Sequence, residues 1–388
     1  MKWRRSIFVV LWLLSLIAIS FYGGAISYGF FFGMTLIPVI SLIYLLFFYL
    51  QFRIYQEIES RTIICKQPMP YYFVLQNSEY YAFAGISARL FSGLSYVLEI
   101  PDDEEYELLP GDRYTCRTKL VCKYRGEYEV GVKEVVVTDF FRLFRFRYKI
   151  PSTIKALVYP RIIHKKQLQT IQDMAAFRCV ETVFRQTEPD VVVRDYIAGD
   201  ALKLIHWKVT AREQKLKTRN MLGEEKQGIV FLYDTKRYSK DMYSYLPLEN
   251  QILEAVLSLG VFWAERNTPF TLFYGQNGLH RKSVEGISQY EAFYQTIAQV
   301  VFDDREDVTE LLGILVEQGE LLKSNAFIMI THEMNDRIMG MLQMLSSGGL
   351  SIILYLVTDD NVESYIRQGN SRLKVVALPI EADLEELL

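Results

Sequence analysis

The chain has 388 residues, half of them hydrophobic and 14% aromatic, with 43 Lys and Arg against 46 Asp and Glu. At about 150 residues per domain this is two to three units with ample apolar material for packed cores, which excludes both a disordered chain and a soluble single domain. Residues 6–52 carry no charged side chain and are preceded by Lys2, Arg4 and Arg5, so the remainder holds 40 basic against 46 acidic groups, a balance that excludes a nucleic-acid binder held by phosphate neutralisation.

The uncharged stretch comes first. As helix it would run about 70 Å at 1.5 Å per residue, which is two crossings of a ~30 Å hydrocarbon core and too long for one. Small residues cluster at Gly23, Gly24, Ala25, Ser27 and Gly29, so spans are expected near residues 6–22 and 30–52, with Pro38 as a kink point in the second. Lys2, Arg4 and Arg5 lie on one side and Arg53, Arg61 and Lys66 on the other, and the connecting turn has no charge. The positive-inside rule then expects both ends, and all that follows, in the cytoplasm of a two-pass cell-membrane protein. A cleaved signal peptide is the competing reading, and the second span would still return the chain inside. Cys65, Cys116, Cys122 and Cys179 show no CxxC or zinc spacing, and no Asn-X-Ser/Thr sequon occurs, as a reducing compartment expects.

From about 54 to 165 the pattern is β. Residues 113–124 alternate, with Tyr114, Cys116, Leu120 and Tyr124 on one face and Arg113, Arg117, Lys119 and Lys123 on the other. Turn signals recur about every ten residues at Asn77-Ser78, Pro101-Asp102, Pro110-Gly111 and Arg125-Gly126, the rhythm of a small all-β sandwich.

The segment 193–219, VRDYIAGDALKLIHWKVTAREQKLKTR, is the most informative. Gly199-Asp200 reads as a turn with Asp200 as N-cap, followed by an apolar stripe of Leu202, Ile205 and Val209 on a short amphipathic helix. Residues 215–221 are expected to re-enter a sheet. Arg194, Asp195, Asp200, His206, Trp207, Lys208 and Arg212 crowd both charge signs and an indole into 19 residues. The bland reading is an ion-pair and capping network with Trp207 buried; the sharper one is a docking surface supplied by Arg194, Lys208 and Arg212.

From residue 228 the period changes to alternating strand and helix. Strands are expected at 229–233, 270–274, 326–331, 351–357 and 374–378, and helices near 248–266, 288–301, 307–318, 335–346 and 360–368. Right-handed crossovers make this a mostly parallel, doubly wound sheet whose ligand edge lies at Asp234 and Thr331. The expected organisation is a transmembrane hairpin over 1–53, an all-β sandwich over 54–165, a connecting segment over 166–227 and an α/β domain over 228–388.

The run RDY-x-x-GD-A-L-K-x-I-HWK-x-TAR-x-x-K-L, from Arg194 to Leu216, resembles the signature of the "domain of unknown function 58" family. YRGEY at 124–128, VTDFFRLF at 137–144 and VYPR at 158–161 are similar to its other recurring stretches. The resemblance implies a bacterial membrane protein with a hairpin, a β-sandwich and a von Willebrand factor A-like, Rossmann-like α/β domain. It also implies work beside a MoxR-type AAA+ ATPase and a transglutaminase-like protein, in assembly or maturation of protein complexes. Arg194, Asp195, Gly199, Asp200, His206, Trp207, Lys208 and Arg212 are then the motif positions. One departure is that Phe140-Phe141-Arg142 follows Asp139 where the family has Pro-Gly.

A second departure concerns metal. Many von Willebrand A domains end their first strand in DxSxS, whose Asp and two Ser hydroxyls hold Mg²⁺ or Mn²⁺. Here Asp234-Thr235-Lys236-Arg237-Tyr238 keeps the Asp but sets cationic side chains where a cation would sit, so Asp234 is a degenerate position and is expected to pair with Lys236, Arg237 or a neighbouring helix start. No phosphate loop, GxGxxG, GxSxG elbow or HExxH occurs, and His206 has no nucleophile beside it. The expectation is a membrane-anchored adaptor or scaffold that is not an enzyme, has no cofactor and binds the bilayer and protein partners. The alternative is a metal-dependent ligand-binding von Willebrand A module with a divergent site at Asp234.

Overall fold

The computed structural model describes residues 2–101, 104–150, 153–168, 171, 174, 177, 193–196, 205–219, 227–303, 305, 307–322 and 324–387. The chain forms two compact units, Met1–Arg161 and Ile162–Leu388.

The first unit opens with helices α1 (Lys2–Tyr22) and α2 (Ala25–Gln51), both long and apolar enough to cross a bilayer. The break falls at Gly23 and Gly24, both at positive φ, where a side chain is disfavoured. The second helix thus starts five residues earlier than the small-residue cluster implied, because Ser27 and Gly29 are absorbed into its first turns. Trp12 Nε1 donates to Thr35 Oγ1 at 3.0 Å across the pair, and outward residues such as Val9, Leu14, Leu36 and Leu42 stay exposed.

Strands follow: β1 (Arg53–Ile58), β2 (Thr62–Ile64), β3 (Pro68–Gln76), β4 (Phe83–Leu90), β5 (Ser95–Val97), β6 (Glu105–Leu108), β7 (Arg113–Cys122), β8 (Gly126–Val130), β9 (Val132–Thr138), β10 (Arg145–Lys149) and β11 (Ile154–Tyr159). They make two four-stranded antiparallel sheets, β1-β3-β7-β5 and β10-β9-β4-β6, and a smaller sheet β2-β11-β8. The alternation expected on β7 holds in its middle, where Arg117 and Lys119 are exposed and Thr118 and Leu120 buried, but Tyr114 is exposed and Val121 and Cys122 are buried in succession. Phe73 and Leu75 from one large sheet and Phe83, Ile86, Val135 and Val137 from the other are buried.

The end of α2 belongs to this β core. Phe48 and Phe52 are buried and pack on Phe83, at 4.8 and 6.2 Å between ring centroids, and Tyr49 meets Phe146 and Tyr148 of β10. Ten residues deeper in the helix, Ser41 Oγ donates at 2.9 Å to the buried carboxylate of Asp139, in the turn between β9 and β10. The same carboxylate accepts from the backbone amides of Phe141 and Phe144 at 3.2 and 2.6 Å.

In the second unit β12 (Val193–Asp195), α3 (Trp207–Glu213) and β13 (Lys217–Arg219) form a small hairpin module. Then come β14 (Gln227–Tyr233), α4 (Met242–Glu265), β15 (Phe270–Gly275), β16 (Leu279–Val284), α5 (Ile287–Ala298), α6 (Val308–Glu317), β17 (Ser324–Thr331), α7 (Asp336–Ser347), β18 (Ser351–Val357), α8 (Glu363–Arg367), β19 (Leu373–Leu378) and α9 (Leu384–Leu387). The sheet order is β16-β15-β14-β17-β18-β19. Pairing is parallel except at β16, which runs antiparallel to β15, so the sheet is mostly parallel with one antiparallel edge strand. The β16 residues, LHRKSV, are half polar and carry no apolar run, which an edge strand solvated on one face does not need. Val230, Leu232, Met329 and Leu354 meet Leu312, Leu315, Ile338 and Leu342 of α6 and α7 in one core. α4 is buried along nearly its whole length, and Tyr290 of α5 donates to Leu257 O at 2.7 Å.

The Asp139 carboxylate accepts from three donors, the Ser41 hydroxyl of α2 and the Phe141 and Phe144 amides of the turn. Asp139→Ala is expected to cost about 2 to 3 kcal/mol, the penalty of stranding buried donors. Asp139→Asn, which keeps one acceptor oxygen, is expected to cost less. Thermal melting of the full chain in detergent checks the order.

Candidate functional site

The strand order reverses between β14 and β17, so the connections that follow them leave in opposite directions past their carboxyl ends, the usual place for a ligand in such sheets. Asp234 closes β14 there and is 1% exposed. Its Oδ1 accepts from the Lys236 amide at 2.9 Å, and its Oδ2 lies 3.1 Å from Thr331 Oγ1 at the end of β17. The Thr331 hydroxyl also reaches Glu333 O at 3.0 Å. The His332 side chain is 8% exposed, with Nδ1 2.7 Å from Asp234 Oδ2. Neither ring nitrogen has an aligned hydrogen bond, so that contact is one of proximity and charge.

The cationic pair of the loop takes other partners than the expected one. Lys236 Nζ bonds both oxygens of Glu333, at 2.9 and 3.2 Å, and stands 3.8 Å from Asp307, the N-cap of α6. Arg237 binds Glu249 with two nitrogens at 2.7 and 3.3 Å and lies 4.0 Å over the Tyr245 ring. The Asp234 carboxylate is thus held by backbone and hydroxyl donors, because its short side chain points back along the strand end while the long cations reach outward. The bond to Glu333, and behind it the charges of Glu333, Asp307 and Asp234, holds the Lys236 ammonium above its ordinary 10.5 against the effect of burial. Burial pushes the Asp307 carboxyl up, but the Thr309 bonds and Lys236 outweigh it and hold it below the usual 3.8. Among the described residues, no group of three or more His, Cys, Asp or Glu side chains is arranged to hold a metal ion.

The second cluster is the HWK module. β12 carries Arg194 and Asp195, while Gly199, Asp200 and Leu202 fall outside the described residues. The described helix begins at Trp207. Its N-cap is His206, whose Nδ1 accepts from the Val209 amide at 3.4 Å, so the imidazole is spent on capping. Ile205 is buried and bridges Thr218 instead of continuing a helical stripe. Lys217 ties the base together through Asp195 at 2.7 Å and Glu213 at 3.1 Å. These contacts hold the Asp195 carboxyl below its usual range and the Lys217 ammonium above its own. Trp207 is 66% exposed, a correction to the expectation that it locks a core, and Lys208 and Arg212 are exposed beside it. A motif gives residue types and spacing, but which way a seven-residue helix rolls is decided by His206 and Thr210, both hydrogen-bonded to Lys217.

No family model matches the chain, and no curated protein does. Among solved structures it is similar to the SpRpn10 VWA domain, at 9% identity over 41% of this chain and 90% of that one, with a TM-score of 0.31. It is also similar to proximal thread matrix protein 1 from the mussel byssus, at 12% identity over 38% and 43%, with a TM-score of 0.30. A third likeness is to a GH20 exo β-N-acetylglucosaminidase from Vibrio harveyi, at 10% identity over 82% and 59%, with a TM-score of 0.19.

The two cations of the loop differ in how much they hold. Lys236→Met is expected to cost about 1 kcal/mol or less, since its partners are partly solvated. Arg237→Ala removes the guanidinium from the buried Glu249 and is expected to cost about 3 kcal/mol. A raised Lys contributes in full below pH 10.5 and loses its contribution as pH rises through the folded value; a lowered Asp contributes above pH 3.8 and loses it as pH falls through its own. The difference between parent and Lys236→Met is therefore expected to stay constant across neutral pH and to shrink beyond those two limits, as read by melting in a pH series.

Proposed function

We propose that the protein is a membrane-anchored adaptor, with the hairpin in the bilayer, the β-rich unit as spacer and the α/β domain, von Willebrand factor A-like, presenting a docking surface. The observation that carries this reading is Trp207, an exposed indole on a helix fixed by His206 and Lys217, with Lys208 and Arg212 exposed beside it. Tryptophan and arginine are among the usual anchors of a protein interface. The resemblance to the "domain of unknown function 58" family names the partner to test, a MoxR-type AAA+ ATPase, with a transglutaminase-like protein as a further associate. Basic residues at the start of α1 and after α2 support cytoplasmic termini and soluble domains.

The second reading, a metal-dependent module, is favoured by the placement of Asp234 and Thr331 side by side at the carboxyl ends of β14 and β17. Lys236 weighs against it, because the chain already supplies a cation to Glu333 and Asp307.

Trp207→Ala is expected to leave the melting temperature nearly unchanged, within about 0.5 kcal/mol for an exposed site, while a MoxR-type AAA+ ATPase that co-purifies with the parent chain no longer does so. Loss of stability in parallel with binding defeats the docking role. Titration calorimetry with Mg²⁺ and Mn²⁺ decides between the readings: saturable binding abolished by Asp234→Ala supports the metal module.

A further inference from the structure

The geometry points to the β9–β10 turn as a second membrane contact, in which Phe140 and Phe141 enter the interfacial layer of the bilayer that α1 and α2 span. The inference rests on the membrane reading of the hairpin proposed above. Phe140 and Phe141 are 60% and 51% exposed, two large apolar side chains in succession at the tip of a hairpin, whereas among the strands Phe73 and Phe83 are buried and Phe91, Phe144 and Phe146 are half-buried. In water alone that arrangement is unfavourable by the free energy of hydrating two aromatic surfaces.

Their height along the helix pair says what covers them. The tip is fixed to α2 at Ser41 through the Asp139 carboxylate, and the Phe140 ring packs 4.8 Å from that of Tyr44. Ser41 stands 17 residues from the Gly24 break, about 25 Å along the helix axis at 1.5 Å per residue. The hydrocarbon core is about 30 Å thick and the bilayer with headgroups about 40 to 45 Å. With the uncharged turn at the far surface, the tip falls at the near edge of the hydrocarbon, and α2 continues past it with Leu42, Leu46, Tyr49 and Leu50 still exposed.

Charge agrees with that depth. Arg5 of α1 donates through Nε to Leu143 O in the same turn, at 2.6 Å, so a cation from the start of the first helix lies at the level of the two phenylalanines. Arg142 pairs with Glu105 at 2.7 Å and is itself exposed, and Arg145 follows on β10. Aromatic rings at the edge of the hydrocarbon with guanidinium groups reaching the phosphates are the composition of an interfacial anchor. Asp139, whose charge would be costly at this depth, is buried and bonded to three donors rather than presented to lipid.

The test places the photoreactive residue p-benzoylphenylalanine singly at 140, 141, 14 and 96 in the full chain, in its native membrane, and identifies adducts by mass spectrometry after irradiation. Leu14 is exposed on α1 and reports the span; Tyr96 is exposed on β5 and reports the soluble surface of the same unit. The expected result is lipid adducts at 14, 140 and 141, several-fold above those at 96. Lipid adducts at 14 with none at 140 and 141, or protein adducts in their place, overturn the interfacial tip and leave the span standing. Absence of lipid adducts at 14 overturns the span itself, and the tip with it.

Discussion

A stretch of 47 residues without a charge must satisfy its backbone within itself wherever water is excluded, and two helices joined at Gly23-Gly24 are the solution adopted here. What that constraint imposes on the rest of the first unit comes from α2 not ending where the apolar need ends. Its last turns are shared: Phe48 and Phe52 are core residues among the strands, while Leu46 and Leu50, on the same turns, remain exposed. The β-rich unit is therefore built onto the helix rather than tethered to it by a loop. Ser41–Asp139 is the polar part of that junction, and Phe48, Phe52 and Phe83 are the apolar part.

In the second unit the carboxyl end of β14 gathers Asp234, Asp307 and Glu333, and acidic groups brought together need a counter-charge or a proton. The chain provides Lys236. An ammonium is a point charge with three donors, and it serves two carboxylates without the closed oxygen shell a divalent ion demands. Arg237 performs the parallel task for Glu249 on α4, so consecutive residues secure the loop to two different elements. A loop immobilised in this way favours a fixed surface over an exchangeable ligand. That shifts attention to the HWK module, where an indole and two cations are among the exposed groups.

The sequence by itself determined the two apolar helices, the alternation in the middle of β7, the five parallel strands of the second sheet and the residue types at the end of β14. Each of these follows from a local pattern: a charge-free run, a period of two, a short apolar block bounded by turn residues. Where long-range partners compete, local pattern was silent. β16 was invisible because an edge strand is half polar, and Trp207 read as core because an indole beside an apolar stripe has the same sequence whichever way the helix rolls. The partners of Lys236 and Arg237 were likewise open, since Glu333 lies 97 residues away and Glu249 on another element. Only the tertiary structure brought Asp139 to Ser41, 98 residues apart in sequence, and so decided that the two phenylalanines beside it stand at the level of the helix pair. Hydrogen bonds and ion pairs of that separation are chosen by the packing of whole sheets and helices, and no local spacing encodes them.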